Sequence, residues 1–263
     1  MYNNIITEID LGVGIITLNR PERHNAFDDA LIAELSDAID RIAADPAVRV
    51  MVISSSGKSF CAGADLNWMK RAAGYGSDEN LRDARALASM LRRLAQSPKP
   101  TIARIQGPAY GGGVGLVACC DIAIATFDAQ FSLTEVKLGL VPAVISPHVI
   151  AAIGERHARR YMLTAERFSA AEAYRIGLLH EIVTDDAALD EALGEIIDAL
   201  LKNGPRAIAE CKQLISAVAW KPLSDEVVED TAQRITRLRS SEEGREGMNA
   251  FLEKRNPDWI NPS

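Results

Sequence analysis

Three consecutive glycines, Gly111, Gly112 and Gly113, lie between a strand-like run, Thr101–Ile105, and a short apolar run, Val114–Cys120. Glycine costs backbone entropy, so a triplet requires a reason. One reason is a tight strand-to-helix turn in which no side chain fits. Another is close approach of a ligand to bare backbone N–H groups at a helix N-terminus, where about half a positive charge is available. A second small-residue turn, Cys61-Ala62-Gly63-Ala64-Asp65, has the same design. If the two turns face each other, two backbone N–H groups can converge on one oxygen. Such an oxyanion hole suits a carbonyl that becomes an enolate, and one well-placed donor is worth roughly 3 kcal/mol of transition-state stabilisation. The glycines do not form a dinucleotide or P-loop fingerprint, so phosphate-loop readings are weak.

The elements that must hold these turns alternate. Ile5–Asp10 and Val13–Asn19 read as a hairpin about Gly12. Asp28 or Asp29 can cap a helix beginning near Ala30, whose apolar face is Leu31, Ile32, Leu35, Ile39 and Ile42. Val48–Ser54 is β-branched and predicts a buried strand. Phe60–Leu66 opens a second helix, and Asn80–Gln96 is a long amphipathic one that Pro98 and Pro100 stop. Strands follow at Thr101–Ile105, Ile122–Thr126, Ala129–Leu133 and His180–Val183. Pro147 opens a helix to Ile153, and further helices are expected at Ala158–Leu163, Ala170–Arg175, Ala187–Lys202, Pro205–Ala219, Ser224–Arg239 and Glu242–Lys254. Strand–helix repeats thus fill the first 150 residues or so, which is an α/β pattern, and helices dominate the end.

The chain has 263 residues, 48% hydrophobic and 25% charged, enough for one large domain with a helical appendage. Its 36 acidic residues outnumber 29 Lys and Arg, for a net charge of −7, a poor balance for a nucleic-acid binder. The four cysteines have no C-x-x-C spacing, and no run resembles a signal peptide or a membrane span, so a cytoplasmic location is expected. No cluster has metal-ligand spacing, so no metal is expected. Ser146 lacks a nucleophile-elbow context, and His148, His157 and His180 read as structural or surface residues.

Several segments carry a resemblance in order and in spacing: His24-Asn25-Ala26, Ala62-Gly63-Ala64-Asp65-Leu66, Gly111–Gly113 with Cys120-Asp121, and Leu138-Gly139-Leu140-Val141-Pro142. They resemble the enoyl-CoA hydratase/isomerase (crotonase) superfamily over essentially the whole chain. The resemblance implies a crotonase-like spiral of ββα repeats with the acyl-CoA site over residues 1–200, and a C-terminal helical trimerisation region over 201–263. It implies a trimer or a dimer of trimers. It further implies N–H donors at Ala64 and Gly112 for the thioester oxygen, with Glu135 as general acid/base. CoA-binding positions would be Arg23, Ala26, Ala62, Asp65, Leu66 and Gly111, with Phe251 and Lys254 reaching a neighbour's nucleotide and Trp68 lining the acyl pocket. No cofactor is needed beyond the coenzyme A of the substrate.

Family hydratases use two glutamates, and the position of the first is Gly115 here. A narrower resemblance, carried by Ala64–Met69, Asp83–Arg85 and Thr134–Phe168, is to bacterial methylglutaconyl-CoA hydratases of leucine breakdown. It implies hydration of 3-methylglutaconyl-CoA, with Lys70, Arg71 or Lys137 as candidate partners of a distal carboxylate. An enoyl-CoA isomerase on the same scaffold is the alternative, since a single acid can move a proton between carbons. A non-catalytic acyl-CoA or RNA-binding protein is a third reading, against which the acidic balance weighs.

Overall fold

The computed structural model describes residues 2–260. Strands β1 (Ile5–Asp10) and β2 (Val13–Leu18) form an antiparallel hairpin. Its two-residue turn, Leu11-Gly12, has positive φ at both positions, as such hairpins demand. From β2 a six-stranded sheet continues in parallel through β3 (Val50–Ser55), β4 (Thr101–Ile105), β6 (Ile122–Thr126) and β9 (Glu181–Val183). Every residue of β3 is buried, because the parallel part of the sheet is covered on both faces. Met51 and Ile53 face the main core, with Leu35 and Ile39 of α1 (Asp29–Ala44) and Leu91 and Leu94 of α3 (Ser77–Ala95). Val50 and Val52 point the other way, onto Leu193, Ile196 and Leu200 of α7 (Asp186–Leu201).

A second sheet holds β5 (Ala109–Tyr110), β7 (Gln130–Ser132) and β8 (Phe168–Ser169). Two single bridges prolong it: Cys61 pairs with Ala109, and Phe27 pairs with Ala64. Each turn of the chain therefore lays one strand in the large sheet and a short extended piece in the small one, then enters a helix. β2 leads to Phe27 and α1; β3 leads to Cys61–Ala64 and then α2 (Leu66–Ala72) and α3; β4 leads to β5 and α4 (Gly112–Cys119). β6 leads to β7, a 3₁₀ turn at Glu135–Leu138 and α5 (Ser146–Thr164). This is the spiral of ββα repeats that the resemblance implies. Helix α6 (Ala170–Arg175) precedes β9, and α8 (Pro205–Val218), α9 (Asp225–Arg239) and α10 (Glu242–Glu253) follow α7.

Boundaries differ from the sequence pattern for local reasons. Asp28, not Asp29, caps α1, accepting from the Leu31 N–H at 2.9 Å. Helix α3 starts at Ser77 rather than Asn80, since the Glu79 carboxylate accepts from the Gly76 N–H. The two helices expected after Pro147 are one element, kinked at Gly154 with φ 73°. Strands β5 and β8 have two residues each, too few to show periodicity.

The spiral brings its second and third turns into backbone contact. A Cβ at Gly113 would stand 2.4 Å from the Cys61 carbonyl oxygen and 2.9 Å from the Cys61 Cβ. The oxygen belongs to the backbone and cannot yield. Gly113→Ala is therefore expected to destabilise the fold by about 1–3 kcal/mol. Thermal unfolding checks this: Tm falls by several degrees, and a Tm within about 1 °C of wild type would contradict the packing described.

Candidate active site

The two small-residue turns lie against each other. The Tyr110 N–H donates to the Cys61 carbonyl at 2.9 Å. A Cβ at Gly63, whose φ is +89°, would stand 2.9 Å from the Tyr110 carbonyl oxygen and 3.7 Å from the Gly111 Cα. Only glycine permits that approach and that φ together. On either side of Ala64 the backbone is pinned: the Phe27 N–H donates to the Gly63 carbonyl at 2.6 Å, and the Asp65 N–H donates to the Phe27 carbonyl at 2.8 Å. The Ala64 N–H between them has no acceptor among the described residues, and neither has the N–H of Gly112, the first residue of α4. The phenyl ring of Phe27 packs on Gly112, where a Cβ would come within 3.1 Å of it. One aromatic residue thus touches both turns.

Glu135 begins the 3₁₀ turn after β7 and reaches back to the glycine turn. A Cβ at Gly111 would stand 3.1 Å from its Oε1 and 3.6 Å from its Cδ. Its Oε2 is buried and has no hydrogen-bond partner among the described residues. Leaving a buried acceptor unpaired costs about 1–3 kcal/mol. A group kept at that expense beside two free donors is arranged for a ligand. Burial raises the Glu135 pKa above the usual 4.5, and a hydrogen bond from its own backbone N–H opposes the shift without cancelling it. The direction of the shift suits a carboxyl that takes up a proton and returns it.

Gly115 is buried in α4, and a Cβ there would lie 2.2 Å from the Ile145 Cγ2 and 2.7 Å from its Cβ. Ile145 fills the volume that any side chain at 115 would need. Sequence reading singled out Gly115 but not Ile145, which stands 30 residues away with no local mark.

The remaining expected site residues separate into groups. Arg23, Ala26, Ala62, Asp65 and Gly111 lie around the two turns; the Ala62 N–H donates to the His24 carbonyl at 2.9 Å. The Asp65 side chain is not open to a ligand. It is buried, caps α2 and pairs with Arg20 and Arg23, so its carboxylate is structural. Leu66 is 73% exposed at the start of α2. Trp68 donates its indole N–H to Asp83 at 3.0 Å and lines a cleft between α1 and α3. Phe251 lines a cavity of about 470 Å³ among α8, α9 and α10, with Ile235, Leu238, Met248 and Trp259. Lys254 ends α10 in a left-handed conformation. Of the candidate cations, Arg71 is paired with Asp29 at 2.6 Å, while Lys70 and Lys137 are exposed. His180 accepts from the Ala123 N–H, in keeping with a structural role. Asn25 stood in the sequence only as a motif residue. It is fully buried, its Oδ1 accepts from the Arg20 N–H, and its amide donates to the Ser56 and Ser59 carbonyls, tying the 20–27 loop to the segment that enters the first turn.

Comparison with known proteins agrees with this fold. A family model described as enoyl-CoA hydratase/isomerase matches residues 8–262. A crystal structure of an enoyl-CoA hydratase from Shewanella pealeana superposes with a TM-score of 0.95 at 45% identity, covering 98% of this chain and 96% of that one. The crotonyl-CoA hydratase of Syntrophomonas wolfei is 33% identical over 98% of both chains. The 2,3-dehydroadipyl-CoA hydratase of Escherichia coli is 32% identical over 93% of this chain and 94% of its own.

The unpaired Glu135 oxygen yields a stability test. A carboxyl with a raised folded pKa contributes its stability below the unfolded pKa and loses it as pH rises through the folded value. Glu135→Gln is therefore expected to melt above wild type at pH 8, with the gain shrinking as pH falls toward 4.5. A variant less stable than wild type at pH 8 would show that the charge is well accommodated.

Proposed function

The chain belongs to the enoyl-CoA hydratase/isomerase family, and on that footing we propose that it adds water reversibly to a 2-enoyl-CoA, with 3-methylglutaconyl-CoA as substrate. The observation that carries this reading is the buried Oε2 of Glu135, without a partner among the described residues, against a turn whose Gly112 N–H, with that of Ala64, likewise lacks an acceptor among them.

In this reading the thioester oxygen lies between the Ala64 and Gly112 N–H groups. Glu135 takes a proton from water as the water oxygen bonds to the β-carbon. The π electrons move toward the α-carbon and the thioester oxygen, where the two amides hold the enolate. Glu135 then returns its proton to the α-carbon. One carboxyl serves both transfers, because position 115 carries no side chain and Ile145 occupies its space. The methylglutaconyl assignment rests on the narrower sequence resemblance. An E. coli relative named for 2,3-dehydroadipyl-CoA, also the thioester of a dicarboxylic acid, is compatible with it. Enoyl-CoA isomerisation remains the second reading, favoured by the filled space at Gly115, since moving a proton between carbons requires no activated water.

The same reading takes residues 1–200 as the catalytic spiral and 201–263 as the region that assembles a trimer or dimer of trimers. Ile215, Val228, Ile235, Met248, Phe251 and Leu252 are exposed apolar residues on α8–α10 and support self-association there. No helix among the described residues is long and apolar enough to cross a membrane. On the narrower resemblance and the cysteine usage we assign the enzyme to leucine breakdown in the cytoplasm.

A panel of branched, straight-chain and dicarboxylic enoyl-CoAs in ¹⁸O-labelled water tests the proposal. Label is expected in the 3-hydroxy product of methylglutaconyl-CoA, with kcat reduced about 10²- to 10⁴-fold in Glu135→Gln. Double-bond migration without label would favour the isomerase, and full activity of the variant would remove Glu135 from the chemistry.

A further inference from the structure

The Ala64 donor is an exposed residue between the buried Gly63 and Asp65, and something must hold it. The guanidinium of Arg20 is 4% exposed and lies at the centre of the segments that flank it. Its Nη1 pairs with the Asp28 Oδ2 at 2.7 Å and donates to the Ala26 carbonyl at 3.3 Å, and its Nη2 lies 3.7 Å from the Asp65 Oδ2. The Asp65 carboxylate divides its two oxygens. Oδ1 accepts from the Asn67 and Trp68 N–H groups, capping α2. Oδ2 faces Arg20, and also Arg23 at 3.4 Å. Burial alone would raise the Asp65 pKa, yet the Trp68 and Asn67 amides and the two arginines outweigh it and hold the carboxyl below its usual range.

We propose that Arg20 is a positioning residue for the oxyanion hole, acting through Asp65 on the Ala64 N–H and through the Ala26–Phe27 backbone on Gly112. This rests on the reading of Ala64 and Gly112 as thioester donors. One planar cation bridges the carboxylate that follows Ala64 and the backbone that precedes Phe27. Phe27 pairs with Ala64 on one side and packs on Gly112 with its ring on the other. A guanidinium can serve all three acceptors at once, whereas an ammonium is a compact point charge without that fork. Arg20 touches no reacting atom; it fixes the spacing of the two amides, which must meet a single oxygen within a fraction of an ångström.

Asp65→Asn is the cleanest probe. Asn caps helices as well as Asp, so α2 keeps its start, and Arg20 keeps Asp28 as its counter-ion. The links of Arg20 and of the more exposed Arg23 to the Ala64 segment are both weakened, and Arg20→Lys isolates the first. Steady-state kinetics on the preferred enoyl-CoA should show kcat down on the order of 10- to 100-fold in this variant and in Arg20→Lys, with KM changed less than about threefold. Bound acetoacetyl-CoA, whose enolate absorbs in the near ultraviolet, should show a smaller enolate fraction in both variants at saturation, while circular dichroism and Tm report an intact Asp65→Asn fold. Unchanged kcat and enolate absorbance in a folded Asp65→Asn, with Glu135→Gln still inactive, would overturn the positioning role and leave the function standing. A wild-type protein that turns over no enoyl-CoA and binds no acetoacetyl-CoA would overturn both.

Discussion

The contact between Gly113 and the Cys61 carbonyl is the constraint from which the site follows. It brings two successive turns of the spiral so close that no Cβ fits between them. Hydrogen bonding in the small sheet accompanies the approach, through Tyr110 N–H to Cys61 and Phe27 N–H to Gly63. At that seam the N–H groups of Ala64 and Gly112 have no acceptor among the described residues. In the proposed reading a substrate oxygen supplies the acceptor that these two N–H groups lack. The large sheet and its covering helices supply the rigidity that makes such an unsatisfied arrangement tolerable.

Glu135 extends the same logic to a side chain. Its Oε2 is buried without a partner among the described residues and its carboxyl lies against Gly111, a cost in folding stability that the proposed proton transfer explains. Ile145 limits what else can join it. Seated against Gly115, it fills the space that a second acid at that position would need.

Much of this was legible in the sequence where the signal is local. The Gly111–Gly113 triplet, the matching turn at Cys61–Asp65, the hairpin about Gly12 and the N-cap before α1 each lie within a few residues of what they determine. The resemblance places Asp65 among the CoA-binding positions; an Asp directly before a helix is also a cap signal, and the structure uses its side chain as a cap. What escaped was long-range. Arg20 is buried only because Asp28 and Asp65 converge on it, Phe27 joins the site through a single bridge, and Ile145 meets Gly115 across 30 residues. Strands of two residues, β5 and β8, have no period to detect, yet the first of them sets the glycine turn in place.

The central claim is that two amides stabilise a thioester enolate while Glu135 exchanges the proton on its α-carbon. Incubating the protein with a saturated acyl-CoA in D₂O, and following the α-hydrogen by NMR, tests this whichever reaction the enzyme completes. The account predicts deuterium incorporation at the α-carbon by wild type and none above background by Glu135→Gln. A wild-type protein that binds the acyl-CoA without exchanging its α-hydrogen, or a variant that exchanges it undiminished, would contradict it.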